Sequence, residues 1–109
     1  MFIPLLLIIK IINVKFKIYE SDLPKLTWDQ ANEHCKRIGN GWRLPTSKEF
    51  CLIYKKSENG DLQLIDQEDY WCSEEEPFGD SKALAQFGCN GGFMPKSNKY
   101  FSRPVKSNS

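Results

Sequence analysis

Residues 39–50 read Gly-Asn-Gly-Trp-Arg-Leu-Pro-Thr-Ser-Lys-Glu-Phe, and this stretch leaves the chain few choices. Gly39 supplies the left-handed residue that ends a helix. A rigid turn through Gly41–Pro45 follows. Thr46 then caps a second helix, and Glu49, three residues on, completes a capping box in which side chain and backbone bond reciprocally. Between the helices, Trp42 and Leu44 are expected in the core. Arg43 is expected to make a structural ion pair or carbonyl contacts. None of these residues looks catalytic, so the stretch marks architecture.

The upstream helix carries the same device. Thr27 and Gln30 form a capping box, and Leu26 can staple onto Ala31. Trp28, Ala31, Cys35 and Ile38 recur at helical spacing as the buried stripe, with Lys36 and Arg37 at the negative end of the dipole. In the second helix Phe50, Leu52, Ile53 and Tyr54 form the stripe, Lys55 and Lys56 close it, and residues 57–61 read as a turn. Before both helices, residues 14–20 alternate apolar and polar, predicting a strand with Val14, Phe16 and Ile18 inward that ends at Pro24. After them come short strand signals at 62–65, at Tyr70-Trp71-Cys72-Ser73, at 83–87 and at 93–94. A hairpin turn is expected at Asn90-Gly91-Gly92, and a closing strand at 100–105. Helices early and strands late predict an α+β fold, two helices packed on a twisted antiparallel sheet.

At 109 residues, 40% of them hydrophobic, the chain suits one packed domain. Residues 13–107 are assigned to it. Fifteen basic against fourteen acidic residues leave a net charge of +1, which makes nucleic acid an unlikely main partner. Residues 1–12 are an apolar extension or an extra strand. They lack the basic lead and small-residue cleavage site of a secretory signal. Lys10 and Asn13 interrupt them short of the roughly 20 apolar residues of a membrane span, so membrane association is not favoured. A cytoplasmic location is slightly favoured over export.

Four cysteines, Cys35, Cys51, Cys72 and Cys89, permit two disulfides but include no Cys-x-x-Cys pair, which disfavours zinc. Buried free thiols are the preferred reading. His34, the only histidine, points about 100° away from Cys35 on a helix. A thiol–histidine pair would need Cys51, Cys72 or Cys89 to reach it in space, with Cys72 or Cys89 the preferred candidates. Glu74-Glu75-Glu76 could offer oxygen ligands, but successive strand carboxylates face opposite ways, so a solvated loop is preferred. No cofactor or metal is implied. Lys96, Lys99 and Arg103, with Tyr100, make the C-terminal third basic and aromatic, a mix that suits a polyanion or a sugar face. Lysines guarding an exposed sheet edge are the competing explanation.

Several residues together resemble a known family. They are Leu26-Thr27-Trp28 with Ala31, then Gly39 and Gly41-Trp42-Arg43-Leu44-Pro45-Thr46 with Glu49, then Tyr70-Trp71-Cys72-Ser73-Glu74, then Arg103-Pro104-Val105-Lys106. In words and order this is similar to the bacterial domain of unknown function that includes the C-terminal domain of the Legionella collagen-like adhesin. The resemblance runs from about Val14 to Lys106 and implies a C-type-lectin-like fold. Cys72 stands where the family has Ser, and Lys106 where it ends in Arg. Phe78 after Glu76-Pro77 departs from calcium-dependent sugar-binding lectins, which disfavours calcium-dependent recognition. The leading expectation is a non-enzymatic binding domain for glycans or other polyanions through Lys96, Lys99, Tyr100 and Arg103. The alternatives are a small thiol-dependent enzyme or redox-sensitive protein, and a structural module that oligomerises through its N-terminal run.

Overall fold

The computed structural model describes residues 16–108; the apolar run 1–12 and Val14 lie outside the described residues. In chain order the elements are β1 (Phe16–Ile18), β2 (Leu23–Leu26), α1 (Trp28–Ile38), α2 (Ser47–Glu58), β3 (Tyr70–Glu75), β4 (Lys82–Phe87), β5 (Asn90–Pro95), β6 (Tyr100–Ser102) and β7 (Val105–Ser107). The fold is α+β. Among the described residues no helix is long and apolar enough to cross a membrane.

Both helices start as their capping boxes dictate. Thr27 Oγ1 accepts from the Gln30 amide at 3.3 Å while Gln30 Oε1 accepts from the Thr27 amide at 3.1 Å. Thr46 and Glu49 repeat the exchange at 3.2 and 2.9 Å. Gly39 ends α1 with φ +81°, but its ψ of −168° lies outside the left-handed helical well expected for it. The bend is spread instead over Gly39, Asn40 and Gly41, all at positive φ. Helix α2 continues past Lys55 and Lys56 to Glu58. Ser57 stays helical there, its hydroxyl donating to the Tyr54 carbonyl at 2.6 Å.

The sheet differs from the expected antiparallel one. Five strands run in the order β2-β6-β3-β4-β5, and β1 pairs with β7 in a separate antiparallel ribbon. Strand β6 lies antiparallel to β2 but parallel to β3. Because β2 and β3 run in opposite directions, a strand inserted between them can be antiparallel to only one, so the sheet is mixed. Pro24 does not end a strand: it sits inside β2, at the sheet edge, where its missing N–H faces no partner. Residues 62–65 form a loop rather than a strand. The β4–β5 turn is Gly88-Cys89, since Phe87 pairs with Asn90 and Gly88 carries the positive φ. Asn90, Gly91 and Gly92 are therefore strand residues.

Side chains of β3 alternate between two cores, because successive strand residues face opposite sides. Trp71 joins Leu23, Ala31, Cys35, Leu44, Ala83 and Ala85 on the α1 side. Tyr70 and Cys72 join Phe16, Phe50, Ile53 and Val105 on the α2 side. The helices thus cover opposite faces. The Trp28 indole donates to the Cys72 carbonyl and the Trp71 indole to the Leu26 carbonyl, both at 2.9 Å, which fastens the start of α1 to the sheet. Leu44 is buried as expected, whereas Trp42 is only half-buried, set edge-on against Tyr19 at 5.1 Å.

Arg43 makes the ion pair its position suggests. Its guanidinium grips both Glu49 oxygens at 2.8 and 3.0 Å and reaches Ser107 Oγ at 3.0 Å. Its backbone exchanges two 2.8 Å bonds with Val105. One residue therefore ties the inter-helix turn to both α2 and β7. Burial pushes the Glu49 carboxyl pKa up, but the Arg43 and Thr46 donors more than reverse this and leave it below the ordinary range. A lowered folded pKa stabilises above the unfolded value of about 4.3 and is lost as pH falls. Arg43 is partly exposed, so screening keeps the effect modest, on the order of 1 kcal/mol. Urea melts at neutral and acid pH should show Glu49→Gln less stable at neutrality but shallower in its acid loss. Arg43→Met should also lower stability, by about 1–3 kcal/mol, because it strands a half-buried carboxylate.

Candidate functional site

The four residues expected to bind a ligand meet different fates. Lys96 Nζ lies 2.7 Å from Glu75 Oε2 and 4.4 Å from the centre of the Trp28 ring. Its backbone also accepts from the Trp28 amide and donates to the Ser81 carbonyl. Lys96 is thus a clamp between the sheet and the start of α1. Tyr100 packs edge-on to Trp71 at 4.9 Å, and its hydroxyl accepts from Asn98 Nδ2 at 3.0 Å. Arg103 is buried, donating from Nε to Asp22 Oδ1 and from Nη2 to the Gln63 carbonyl, both at 2.9 Å. Lys99 alone of the set is exposed. The four do not form a cationic face, because tertiary partners neutralise Lys96 and Arg103.

The Arg103–Asp22 pair extends to Tyr70. The Tyr70 hydroxyl donates to Asp22 Oδ2 at 2.6 Å and accepts from the Ile65 amide at 2.8 Å. Burial raises the Tyr70 pKa, and the adjacent Asp22 charge raises it further. This network anchors the 59–69 loop against the β1–β2 turn. Between them opens a cleft of about 690 Å³ lined by Tyr19, Ser21, Asp22, Asp61, Gln63 and Arg103, with Ile18 and Leu62–Ile65 supplying apolar wall. An aromatic ring, a hydroxyl, carboxylates and an amide thus meet in one concavity. Sequence reading missed Asp22 and the Tyr70 hydroxyl, since partners 81 and 48 positions apart leave no local signal.

The cysteines divide. Cys51 and Cys89 form a disulfide joining α2 to the β4–β5 turn, so the preference for free thiols holds only for Cys35 and Cys72. Both of these are buried. Burial pushes the Cys35 thiol up to about 11. It pushes Cys72 higher, with help from the Glu74 and Glu49 charges. A nucleophile needs the thiolate, and neither thiol is set up to ionise. His34 is half-buried on α1, in a shallow groove with Leu26, Gln30 and Arg37. Cys51 and Cys89, two of the three thiols considered as its partner, are already bonded to each other.

Of the acidic run, Glu74 and Glu75 end β3 and only Glu76 lies in the loop beyond it. Glu74 accepts from the Ser47 amide at 2.9 and 3.1 Å, at the positive end of α2, while Glu75 takes Lys96. Among the described residues no group of three or more His, Cys, Asp or Glu could hold a metal ion. Gln86, also missed from sequence, is a fully buried polar joint: its amide donates to the Ser47 and Gly88 carbonyls and its oxygen accepts from Ser47 Oγ.

No protein-family model matches the chain, and no curated protein matches it either.

Arg103→Met would leave Asp22 and the Gln63 carbonyl short of a donor. It should cost about 3–5 kcal/mol of unfolding free energy, as breaking a buried pair does, against at most about 0.5 kcal/mol for Lys99→Ala. Titration with a thiol reagent should find Cys35 and Cys72 unreactive in native protein and both reactive after denaturation without reductant.

Proposed function

We propose that the chain is a non-enzymatic binding domain of C-type-lectin-like fold that recognises a glycan in the cleft lined by the Arg103–Asp22 pair. The observation that carries this reading is the cleft itself, where Tyr19, Ser21, Asp61 and Gln63 surround the network. Small-molecule sites are typically concave, with apolar walls and a few placed polar groups. Saccharides offer hydroxyls to such groups and apolar ring faces to aromatic side chains.

Charge favours a neutral glycan over a polyanion. Lys96 and Arg103 are neutralised internally, and the cleft carries Glu20, Asp22 and Asp61 against the one guanidinium. An anionic chain would meet net repulsion there. The fold assignment is supported by where the family-like words fall. Thr27 and Thr46 cap helices, Trp28 and Trp71 pin α1 to the sheet, Arg43 clasps Glu49, and Arg103 closes the loop. Words that each serve as a structural joint are the ones a shared fold would keep. The Cys51–Cys89 bond supports an oxidising compartment, where such bonds persist.

A glycan array with neutral and sulfated members, read at low and high salt, tests the proposal. Binding to neutral glycans that survives high salt is expected, with about tenfold or greater loss in Gln63→Ala at unchanged melting temperature. Absence of neutral-glycan binding would overturn it. Salt-sensitive binding of sulfated glycans lost in Lys99→Ala would return the site to the C-terminal lysines.

A further inference from the structure

Among the described residues the five-stranded sheet has two edges, β2 and β5, and they are treated differently. Pro24 and the charged Lys25 occupy the middle of β2, the usual means of blunting an edge. Strand β5, Asn90–Pro95, carries no charge, and all of it but Met94 is exposed. The lysines that could have guarded this edge lie outside the strand, at 96 and 99.

The phase of β5 can be read from its neighbours. The Lys96 amide donates to the Ser81 carbonyl at 2.9 Å, and the Glu76 amide donates to the Lys82 carbonyl at 3.1 Å. Backbone groups of successive strand residues alternate sides. With Ala85 opposite Gly92 and Ala83 opposite Met94, Asn90, Gly92 and Met94 therefore bond to β4. Gly91 and Phe93 turn both N–H and C=O to the free edge, whereas Pro95 has no N–H and its carbonyl already accepts from the Asn98 amide at 3.0 Å.

We infer that β5 is a self-association edge, pairing antiparallel with β5 of a second copy about a two-fold axis at Gly92. In that register Gly91 lies opposite Phe93 of the partner on both sides of the axis, giving about four backbone hydrogen bonds. Phe93, 40% exposed, then covers the one strand position that cannot carry a side chain. A Cβ on Gly91 would stand 2.5 Å from the Ala85 carbonyl oxygen. An aromatic across from an edge glycine is a favourable pairing. The strand is uncharged, so no like charges oppose each other. Centring the axis on Phe93 instead would set Gly91 against Pro95, which has no N–H to give. The occupant that satisfies this edge is thus another copy of the same strand. So short a contact falls below the usual size of a stable interface, which makes the dimer weak and reversible.

Sedimentation velocity on the full chain should show dimer near about 1 mM protein and monomer near about 10 µM. Phe93→Pro removes an outward N–H without touching the β4 ladder, and Phe93→Lys places a charge on the edge. Both should weaken association by about tenfold or more with native circular dichroism. Gly92→Cys adds a Cβ into open space and sets two sulfurs across the axis, about 4.5 Å apart at Cα. It should form a covalent dimer under mild oxidation. Asn90→Cys, about 13 Å from its own copy, should not. A chain lacking residues 1–12 should dimerise as the full chain does. A wild type that stays monomeric throughout would overturn the inference. So would association that persists in a folded Phe93→Pro, equal cross-linking from Asn90→Cys, or dimerisation lost only with residues 1–12.

Discussion

A guanidinium cannot be buried alone, and the arrangement of this protein turns on how Arg103 is accommodated. Its side chain is 7% exposed and that of Asp22 14%. Desolvating two charges is tolerable only with good geometry and further hydrogen bonds. Those bonds come from Tyr70 and the Gln63 carbonyl. The four groups belong to the β1–β2 turn, the 59–69 loop, the central strand β3 and the corner between β6 and β7. One network therefore sets where the longest loop lies. It also decides that residues 62–65, apolar enough to read as a strand, are held as loop by side-chain bonds at Gln63 and Ile65.

A second joint repeats the logic at the other end of the chain. Glu49 completes the cap of α2 through the Thr46 amide and receives the Arg43 guanidinium on the same carboxylate. Arg43 in turn bridges to Val105 and Ser107. The cap is a local device, but here it is also the point where the middle of the chain meets its last strand. With the two indole bonds from Trp28 and Trp71, these joints hold the helices on opposite faces of one sheet.

Charge has a different meaning once the chain is folded. A C-terminal third rich in lysine and arginine looks like a ligand surface when read as a string. In the fold, Lys96 lies between Glu75 and the Trp28 ring, and Arg103 faces Asp22. What is left open is an acid-lined cleft on one side and an uncharged strand edge on another. The functional reading moves accordingly, from a cationic face towards a neutral sugar site, and adds an edge suited to self-pairing.

The parts legible in sequence were those governed by contacts a few residues apart. Both capping boxes, both helical stripes and the Tyr70–Ser73 strand follow from spacing of three or four, or of two, and the α+β class from the order of those elements. For Arg43 the sequence left an ion pair or carbonyl contacts open, and its partner Glu49 lies six positions on. The resemblance named the joints without showing what they join. What only the tertiary structure decided involves partners far apart in the chain: the parallel insertion of β6, the hairpin turn at Gly88-Cys89, the Cys51–Cys89 bond, and the Arg103–Asp22–Tyr70 network. Pro24 illustrates the difference. Locally it reads as a strand breaker, yet at an edge its missing donor has no ladder to break. Whether a residue is an end, an edge or a partner depends on which segment lies beside it, and no local pattern records that neighbour.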